Sequence, residues 1–82
     1  MHRTTPKFWK RFEALPLSIQ KLARKNYELL KSDPTHPSLN FKKVGKLWSV
    51  RIGLYRALAV EDSSDFIWVW IGSHDEYDRL IS

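Results

Sequence analysis

The chain has 82 residues, with 14 Lys and Arg against nine Asp and Glu, a formal net charge of +5 and no cysteine. This length predicts one domain with a modest core, and the absence of cysteine excludes a disulfide scaffold and a thiolate metal site. No apolar run approaches the roughly 18 residues that a membrane-spanning helix needs, and no signal-peptide core is visible. We therefore expect a soluble, cytoplasmic protein.

The positive charge is concentrated in the first two thirds of the chain. Residues 1–56 contain 13 of the 14 basic residues and only three acids, whereas residues 57–82 contain Arg79 and six acids. A positive surface of this size attracts polyanions such as nucleic acid at long range. A solvated basic face that only keeps the protein in solution is the alternative interpretation.

Two amphipathic helices are predicted at the amino end. Thr4, Thr5 and Pro6 form a typical helix start, because a hydroxyl cap is followed by proline in the first turn. Pro16 ends this helix and starts the next, which we expect to span Leu17–Lys31. The short link predicts an antiparallel helical hairpin that packs on a sheet.

Four strands are predicted after a proline-containing loop at residues 32–38. They are rich in β-branched and aromatic residues or alternate in polarity, and they span Leu39–Val44, Leu47–Ile52, Tyr55–Val60 and Phe66–Gly72. Their links are too short for parallel crossovers, so an antiparallel meander is predicted. In the second strand, alternation separates Trp48, Val50 and Ile52 from Leu47, Ser49 and Arg51. Three tryptophans are expected to cover the sheet face opposite the helices, or to meet a partner there: Trp48, Trp68 and Trp70.

The junction between the last strand and the last helix has a clear local signal. Ser73-His74-Asp75-Glu76 is a capping box, in which the Ser73 hydroxyl accepts from the Glu76 N–H and the Glu76 carboxylate accepts from the Ser73 N–H. The helix is expected to continue to about Ile81, with His74 and Tyr77 at the rim of the sheet. The predicted fold class is α+β, a helical hairpin on a four-stranded antiparallel sheet followed by a short helix.

Arg56 is the first candidate for chemistry. It lies in an otherwise apolar strand and needs a counter-anion. That anion is either an internal carboxylate, Asp75 or Asp78, or a ligand phosphate that matches the planar guanidinium.

His74 and Tyr77 complete the set of candidate catalytic residues. His74 is either a helix-capping residue or a proton donor and acceptor, and Tyr77 is either a core aromatic or a site residue. The chain has no metal-ligand motif, nucleophile elbow or glycine-rich phosphate loop, so neither metal nor cofactor is expected.

Two stretches carry a family resemblance. KLWSVRIGLYRALAV and FIWVWIGSHDEYD resemble the carboxy-terminal half of the RelE/ParE superfamily of bacterial type II toxin–antitoxin systems, and TPKFWKRFEALP is similar to its helical hairpin. The resemblance implies a single toxin domain over residues 1–82, with a concave basic face opposite the hairpin. Most members open with a strand, for which only Met1 to Arg3 are available here. We expect that strand to be very short or absent, which would leave a sheet edge open to an antitoxin segment.

The resemblance also implies a reaction. RelE-like members cut messenger RNA in the ribosomal A site without a metal, by attack of the ribose 2′-OH on its own phosphate. By position, Arg56 matches the phosphate-contacting arginine, and His74 the basic or His residue at the end of the last strand. Tyr77 is the available C-terminal tyrosine, at a different spacing from His74 than in the best-known ribonucleases. The expected RNA-binding residues are Lys42, Lys43, Lys46 and Arg51, of which Arg51 matches a basic residue on the preceding strand.

Other functions stay open at this point. ParE-like members poison DNA gyrase and need no catalytic residues. The same basic surface also suits a nucleic-acid-binding module that cuts nothing, or an inactive toxin retained as an antitoxin partner. The expected partners are a small acidic antitoxin together with the ribosome and mRNA, or gyrase in the first alternative, and no membrane.

Overall fold

A five-stranded sheet carries the helices in the computed structural model, which describes residues 1–81. The elements are β1 (His2–Thr4), α1 (Pro6–Glu13), α2 (Leu17–Ser32), β2 (Lys42–Val44), β3 (Leu47–Ile52), β4 (Tyr55–Asp62), β5 (Asp65–Ser73) and α3 (His74–Ile81), with one turn of 3₁₀ helix at Pro37–Leu39. Across the sheet the strand order is β1-β5-β4-β3-β2. No helix within residues 1–81 is long and apolar enough to cross a membrane.

The sheet is mixed because β1 joins it as a fifth strand. β2 to β5 form the predicted antiparallel meander, whereas β1 pairs in parallel with β5, from His2 opposite Phe66 to Thr4 opposite Trp68. The four predicted antiparallel strands are present, but the prediction of a purely antiparallel, four-stranded sheet is wrong because a fifth, parallel strand joins it. Of the two expectations for the amino-terminal strand, very short or absent, the very short strand is the one that forms. Three residues are enough to form this strand because β1 leads directly into Thr5, the cap of α1. The Thr5 hydroxyl continues the contact with β5 by donating to the Trp68 carbonyl at 3.2 Å. This pairing covers the edge of β5 as far as Trp68.

The two amino-terminal helices pack on the sheet side by side. Thr5 caps α1 as predicted, because its hydroxyl accepts from the Phe8 N–H at 3.2 Å, and Pro16 separates the helices. α1 lies mainly against β5 and α2 mainly against β3. The predicted close hairpin is thus a pair of helices with a cleft of about 500 Å³ between them. Arg24 of α2 reaches α1 across this cleft, with its guanidinium carbon 5.1 Å from the centroid of the Phe12 ring.

The first predicted strand, Leu39–Val44, is only half strand. Leu39 belongs to the 3₁₀ turn and is completely buried, and Asn40 has a left-handed backbone, with φ of 43°. Extended pairing begins at Lys42. The apolar residues at the start of this segment therefore fill the core from a turn. The other predicted strands and the second and third helices agree with the structure within two residues at each end.

The alternation predicted for β3 is confirmed by its register with β4. The side of β3 that carries Trp48, Val50 and Ile52 packs towards α1 and α2. The main core lies there and consists of Phe8, Phe12, Ala23, Leu30, Leu39, Val50, Ile52, Ala57, Ala59, Trp68 and Ile71. Ser49 and Arg51 lie on the opposite side of the sheet. We call this side the α3 face, because α3 lies against it and buries Tyr77 there.

The tryptophans are divided between the two faces. Trp48 and Trp68 pack with the main core, and only Trp70, opposite Leu58, lies on the α3 face. The expectation that all three share that face is wrong. The cause is a bulge: Leu58 pairs with Trp70 but the next residue of β4, Ala59, pairs with Trp68, so one extra residue of β5 separates the two partners. An extra residue reverses the face on which later side chains lie.

Gly72 provides a test of this packing. A Cβ atom on Gly72 would lie 2.5 Å from Cζ2 of Trp70 and 3.0 Å from Oε1 of Glu76. We expect Gly72→Ala to lower the free energy of unfolding by about 1–3 kcal/mol, as for other overpacked sites. Urea denaturation measures it. The double variant with Trp70→Ala should lose less than the two single variants together, because the clashing ring is gone. Equal midpoints for wild type and Gly72→Ala would contradict the packing.

Candidate functional site

A pocket of about 290 Å³ lies between α3 and the α3 face of the sheet. It is lined by Asn40, Lys42, Val44, Ser49, Arg56, His74, Tyr77, Asp78 and Ile81. The segment before β2, the strands β2 to β4 and the helix α3 all contribute. Arg56, His74 and Tyr77, the three predicted catalytic residues, therefore meet at one place although they come from two different elements.

In the part of the chain that the structure describes, Arg56 has backbone partners but no acidic one. Its Nη1 donates to the carbonyls of Tyr55 at 2.9 Å and Gly53 at 3.1 Å. Within residues 1–81 no carboxylate lies within 4.0 Å of its guanidinium, so the internal ion pair with Asp75 or Asp78 is not formed. The positive charge of Arg56 remains available to an anion in the pocket.

Arg51 adds a second positive charge next to the pocket. It is exposed and lies directly opposite Arg56 in the β3–β4 pairing. Directly opposed residues of antiparallel strands place their side chains on the same face, where two like charges destabilise each other. An anion bound between the two arginines would relieve this repulsion. The pair therefore favours an anion-binding role for the α3 face.

The capping box that starts α3 is confirmed. The Ser73 N–H donates to Oε1 of Glu76 at 3.1 Å, and the Glu76 N–H donates to the Ser73 hydroxyl at 3.2 Å. Arg11 of α1 reinforces the junction, donating from Nη2 to Oε2 of Glu76 at 3.2 Å and from Nε to the Ile71 carbonyl at 2.9 Å. The backbone N–H of Ser73, then its hydroxyl, and to a smaller extent Arg11 lower the pKa of Glu76.

α3 then presents His74 and Tyr77 to the pocket. The His74 N–H donates to the Leu54 carbonyl at 2.9 Å, and its Nε2 lies 3.5 Å from Oδ1 of Asp78, one helical turn later. Tyr77 is buried, with its ring stacked 6.3 Å from the His74 ring. The guanidinium carbon of Arg56 lies 6.0 Å from the centroid of the same ring. Tyr77 is thus both a core aromatic and a contact between the two candidate catalytic groups.

The four predicted RNA-binding residues do not form one patch. Lys42 lines the pocket, whereas Lys43 is paired with Trp48 and lies on the opposite side of the sheet. Lys46 is exposed in the turn between β2 and β3. Arg51 lies on the α3 face outside the pocket lining. Two of the four, Lys42 and Arg51, therefore share a face with the candidate catalytic residues.

Sequence reasoning missed three polar residues of the pocket: Asn40, Ser49 and Asp78. A signal existed for two of them. Ser49 is a small polar residue in the same alternating set as Arg51, and Asp78 follows His74 by four residues, the spacing that brings side chains together on a helix. Asn40 had no signal, because the pattern placed it inside a strand. Within residues 1–81, no group of three or more His, Cys, Asp and Glu side chains is placed to hold a metal ion.

The larger cleft, between α1 and α2, lies on the other side of the sheet from the pocket. Its lining is mainly apolar and includes Phe8, Trp9, Phe12, Tyr27 and Trp68. None of the predicted site residues lines it. Size alone therefore does not identify the functional site, and the convergence of charged and titratable groups on the α3 face is the stronger indication.

Comparison with solved structures identifies the fold as that of RelE toxins. A chain of the RelB-RelE antitoxin-toxin complex from Methanococcus jannaschii matches with a TM-score of 0.74 and 17% identity, over 98% of this chain and 99% of that chain. A chain of the toxin-antitoxin complex RelBE2 from Mycobacterium tuberculosis has a TM-score of 0.66 and 18% identity, over 89% and 95%. The isolated E. coli RelE toxin has a TM-score of 0.65 and 10% identity, over 100% and 98%. No protein-family model and no curated protein matches the chain.

These matches confirm the predicted RelE-like architecture. Each match covers nearly all of this chain and nearly all of the matched chain, so the resemblance concerns the complete fold of the domain. At identities of 10% to 18% they establish the fold alone. The chemistry has to be argued from the pocket.

The lowered pKa of Glu76 predicts a pH dependence of stability. A carboxylate whose pKa is lower in the folded state stabilises the fold above the ordinary glutamate range, and this contribution is lost as the pH falls through the folded-state pKa. We expect the free energy of unfolding of the wild type to fall more steeply than that of Glu76→Gln between about pH 7 and about pH 3.

Urea denaturation across this pH range measures the difference. Glu13→Gln is the matched control, because Glu13 is an exposed glutamate of α1 away from the junction, and it should keep the wild-type slope. Parallel curves for the wild type and Glu76→Gln would show that the charge of Glu76 does not hold the start of α3.

Proposed function

We propose that this protein is the toxin of a type II toxin–antitoxin system and that it blocks translation by cutting messenger RNA on the ribosome. The fold shared with RelE toxins and with chains of RelB-RelE complexes supports a toxin with an antitoxin partner. The observation that carries the reaction is the convergence of Arg56, His74 and Tyr77 in one pocket. A small acidic antitoxin suits a chain with a net charge of +5.

In the proposed reaction the ribose 2′-oxygen attacks the adjacent phosphorus. The O2′–P bond forms and the P–O5′ bond breaks, which gives a cyclic phosphate and a 5′-hydroxyl end. Negative charge increases on the phosphoryl oxygens in the transition state, and a guanidinium that pairs with no carboxylate of residues 1–81 is suited to stabilise it. Arg56 has this role in the proposal.

His74 moves the proton in this scheme. It either takes the proton of the 2′-OH, while water protonates the leaving 5′-oxygen, or gives a proton to the leaving 5′-oxygen, while water takes that of the 2′-OH. Asp78, 3.5 Å from Nε2, orients the imidazole ring and leaves Nδ1 free for the substrate. The Tyr77 ring, packed against both groups, keeps Arg56 and His74 at a fixed separation.

A gyrase inhibitor of the ParE type accounts for fewer of these features. Such an inhibitor needs no catalytic residues, and it gives no reason for an arginine with no acidic partner among residues 1–81 to meet a histidine in one pocket. A module that only binds nucleic acid accounts for Arg51 and Arg56 but not for the His74–Asp78 pair. The ribonuclease proposal uses all of these groups.

Replacing Arg56 and His74 tests the catalytic assignment. We expect Arg56→Ala to slow mRNA cleavage on programmed ribosomes by about 10²- to 10³-fold, as for other lost oxyanion contacts, and His74→Ala by about 10²- to 10⁴-fold. Primer extension measures cleavage, and induction in growing cells measures toxicity. His36→Ala, in the loop before β2, is the control for loss of an imidazole.

The outcomes separate the competing functions. If Arg56→Ala and His74→Ala both cut mRNA at the wild-type rate, the catalytic assignment is wrong. If the wild type cuts no mRNA and its induction stops DNA replication before protein synthesis, the gyrase alternative is correct.

Lys42 and Lys43 provide a matched test of the RNA-binding face. They are neighbours in β2 and carry the same charge, but they lie on opposite sides of the sheet. We expect Lys42→Ala to weaken binding to mRNA-programmed ribosomes and to reduce the slope of log affinity against log salt by about 1, because one phosphate contact is lost. Lys43→Ala should keep both values. Equal losses for the two variants would show that the α3 face does not select the RNA.

A further inference from the structure

Ser49 is the one buried polar residue within residues 1–81, with 2% of its surface exposed. Its side chain has no hydrogen-bond partner in the described part of the chain. No completely buried side-chain N or O atom in residues 1–81 lacks a partner, so the Ser49 hydroxyl keeps some accessible surface, and Ser49 lines the pocket of the α3 face. The residue as a whole is almost covered, but its hydroxyl is accessible, so water or a ligand in this pocket can provide the partner.

The register places this hydroxyl among the cations of the pocket. Ser49 lies directly opposite Lys42 of β2 on one side and Leu58 of β4 on the other. Arg56, two residues before Leu58, is its diagonal neighbour on the same face, about 7–8 Å away by ordinary sheet geometry. A phosphate held by Lys42 and Arg56 would therefore lie over the Ser49 side chain, on the α3 face of the sheet.

We propose that Ser49 contacts the substrate and donates a hydrogen bond to a non-bridging oxygen of the phosphodiester held between Lys42 and Arg56. The proposal rests on the ribonuclease function above, because that function supplies the phosphodiester. A hydroxyl at this place adds a donor without adding charge. A third cation there would repel both Lys42 and Arg56 and would be buried, which is costly.

Phosphorothioate RNA tests this contact. Sulfur is a weaker hydrogen-bond acceptor than oxygen, so mRNA with one sulfur at the scissile phosphate reports on the donor that faces it. We expect the wild type to cut one of the two diastereomers more slowly than the other. Ser49→Ala should show a smaller difference between the two rates, because it lacks the hydroxyl that distinguishes oxygen from sulfur. On all-oxygen mRNA we expect Ser49→Ala to be about 10- to 100-fold slower than wild type, the value for a hydrogen bond to a charged group.

Two further measurements keep the result interpretable. Ser49→Cys replaces the hydroxyl with a slightly larger thiol that is only a weak donor, so it should behave as Ser49→Ala if the hydroxyl matters and closer to wild type if only the filled space matters. Binding of the same two diastereomers with a 2′-deoxyribose at the scissile nucleotide, which prevents cleavage, measures the contact without the reaction. Urea denaturation confirms that each variant is folded.

The outcomes distinguish the two proposals. Wild type that cuts mRNA, with the same diastereomer difference in Ser49→Ala, overturns the role of Ser49 and leaves the ribonuclease function intact. Wild type that cuts no mRNA overturns the ribonuclease function. If it nevertheless binds the diastereomers with a difference that Ser49→Ala removes, the phosphate contact of Ser49 is supported. Absence of both cleavage and diastereomer-dependent binding overturns both.

Discussion

The position of α3 depends on the reciprocal hydrogen bonds between Ser73 and Glu76. The Glu76 carboxylate accepts from the backbone and hydroxyl of Ser73 through one oxygen and from Arg11 through the other. The strand end, the helix start and α1 are therefore fixed to one another by one charged group. Because α3 begins there and nowhere else, Tyr77 is buried one turn later and His74 lies at the pocket. The chemistry proposed for the α3 face depends on this junction.

Two arginines of the α3 face, Arg51 and Arg56, lie directly opposite each other. Arg11 shows how the fold treats an arginine that is structural: it has Glu76, a backbone carbonyl and the Trp70 ring as partners. Within residues 1–81, Arg56 instead has carbonyls and an aromatic ring but no carboxylate, and Arg51 faces it across the strands. A fold that leaves two such arginines together gives up some stability. Binding of a phosphate would recover it, which is a physical reason to place the ligand there.

Local patterns predicted most of the fold and part of the site. The capping box, the Pro16 link and the alternation of β3 are short-range signals, and the structure confirms all three. The three residues of β1 are too few for a pattern, so the sequence left open whether this strand would be very short or absent. Its parallel pairing with β5, more than 60 residues along the chain, was not predicted. The bulge that places Trp68 and Trp70 on opposite faces depends on pairing with β4, which no window of sequence contains. By contrast, period-2 alternation already separates Lys42 from Lys43.

The openness of the pocket bears on where the proposed reaction takes place. The side chains of His74 and Asp78 are 48% and 55% exposed, so water weakens the interactions between the charged groups of the free protein. Electrostatic stabilisation of a transition state is strongest when donors are fixed and water is excluded. A substrate presented by a large RNA assembly would cover the pocket and supply both conditions. The exposure of His74 and Asp78 is therefore consistent with the ribosome-dependent reaction that we propose, in which the carrier of the substrate would complete the environment of the pocket.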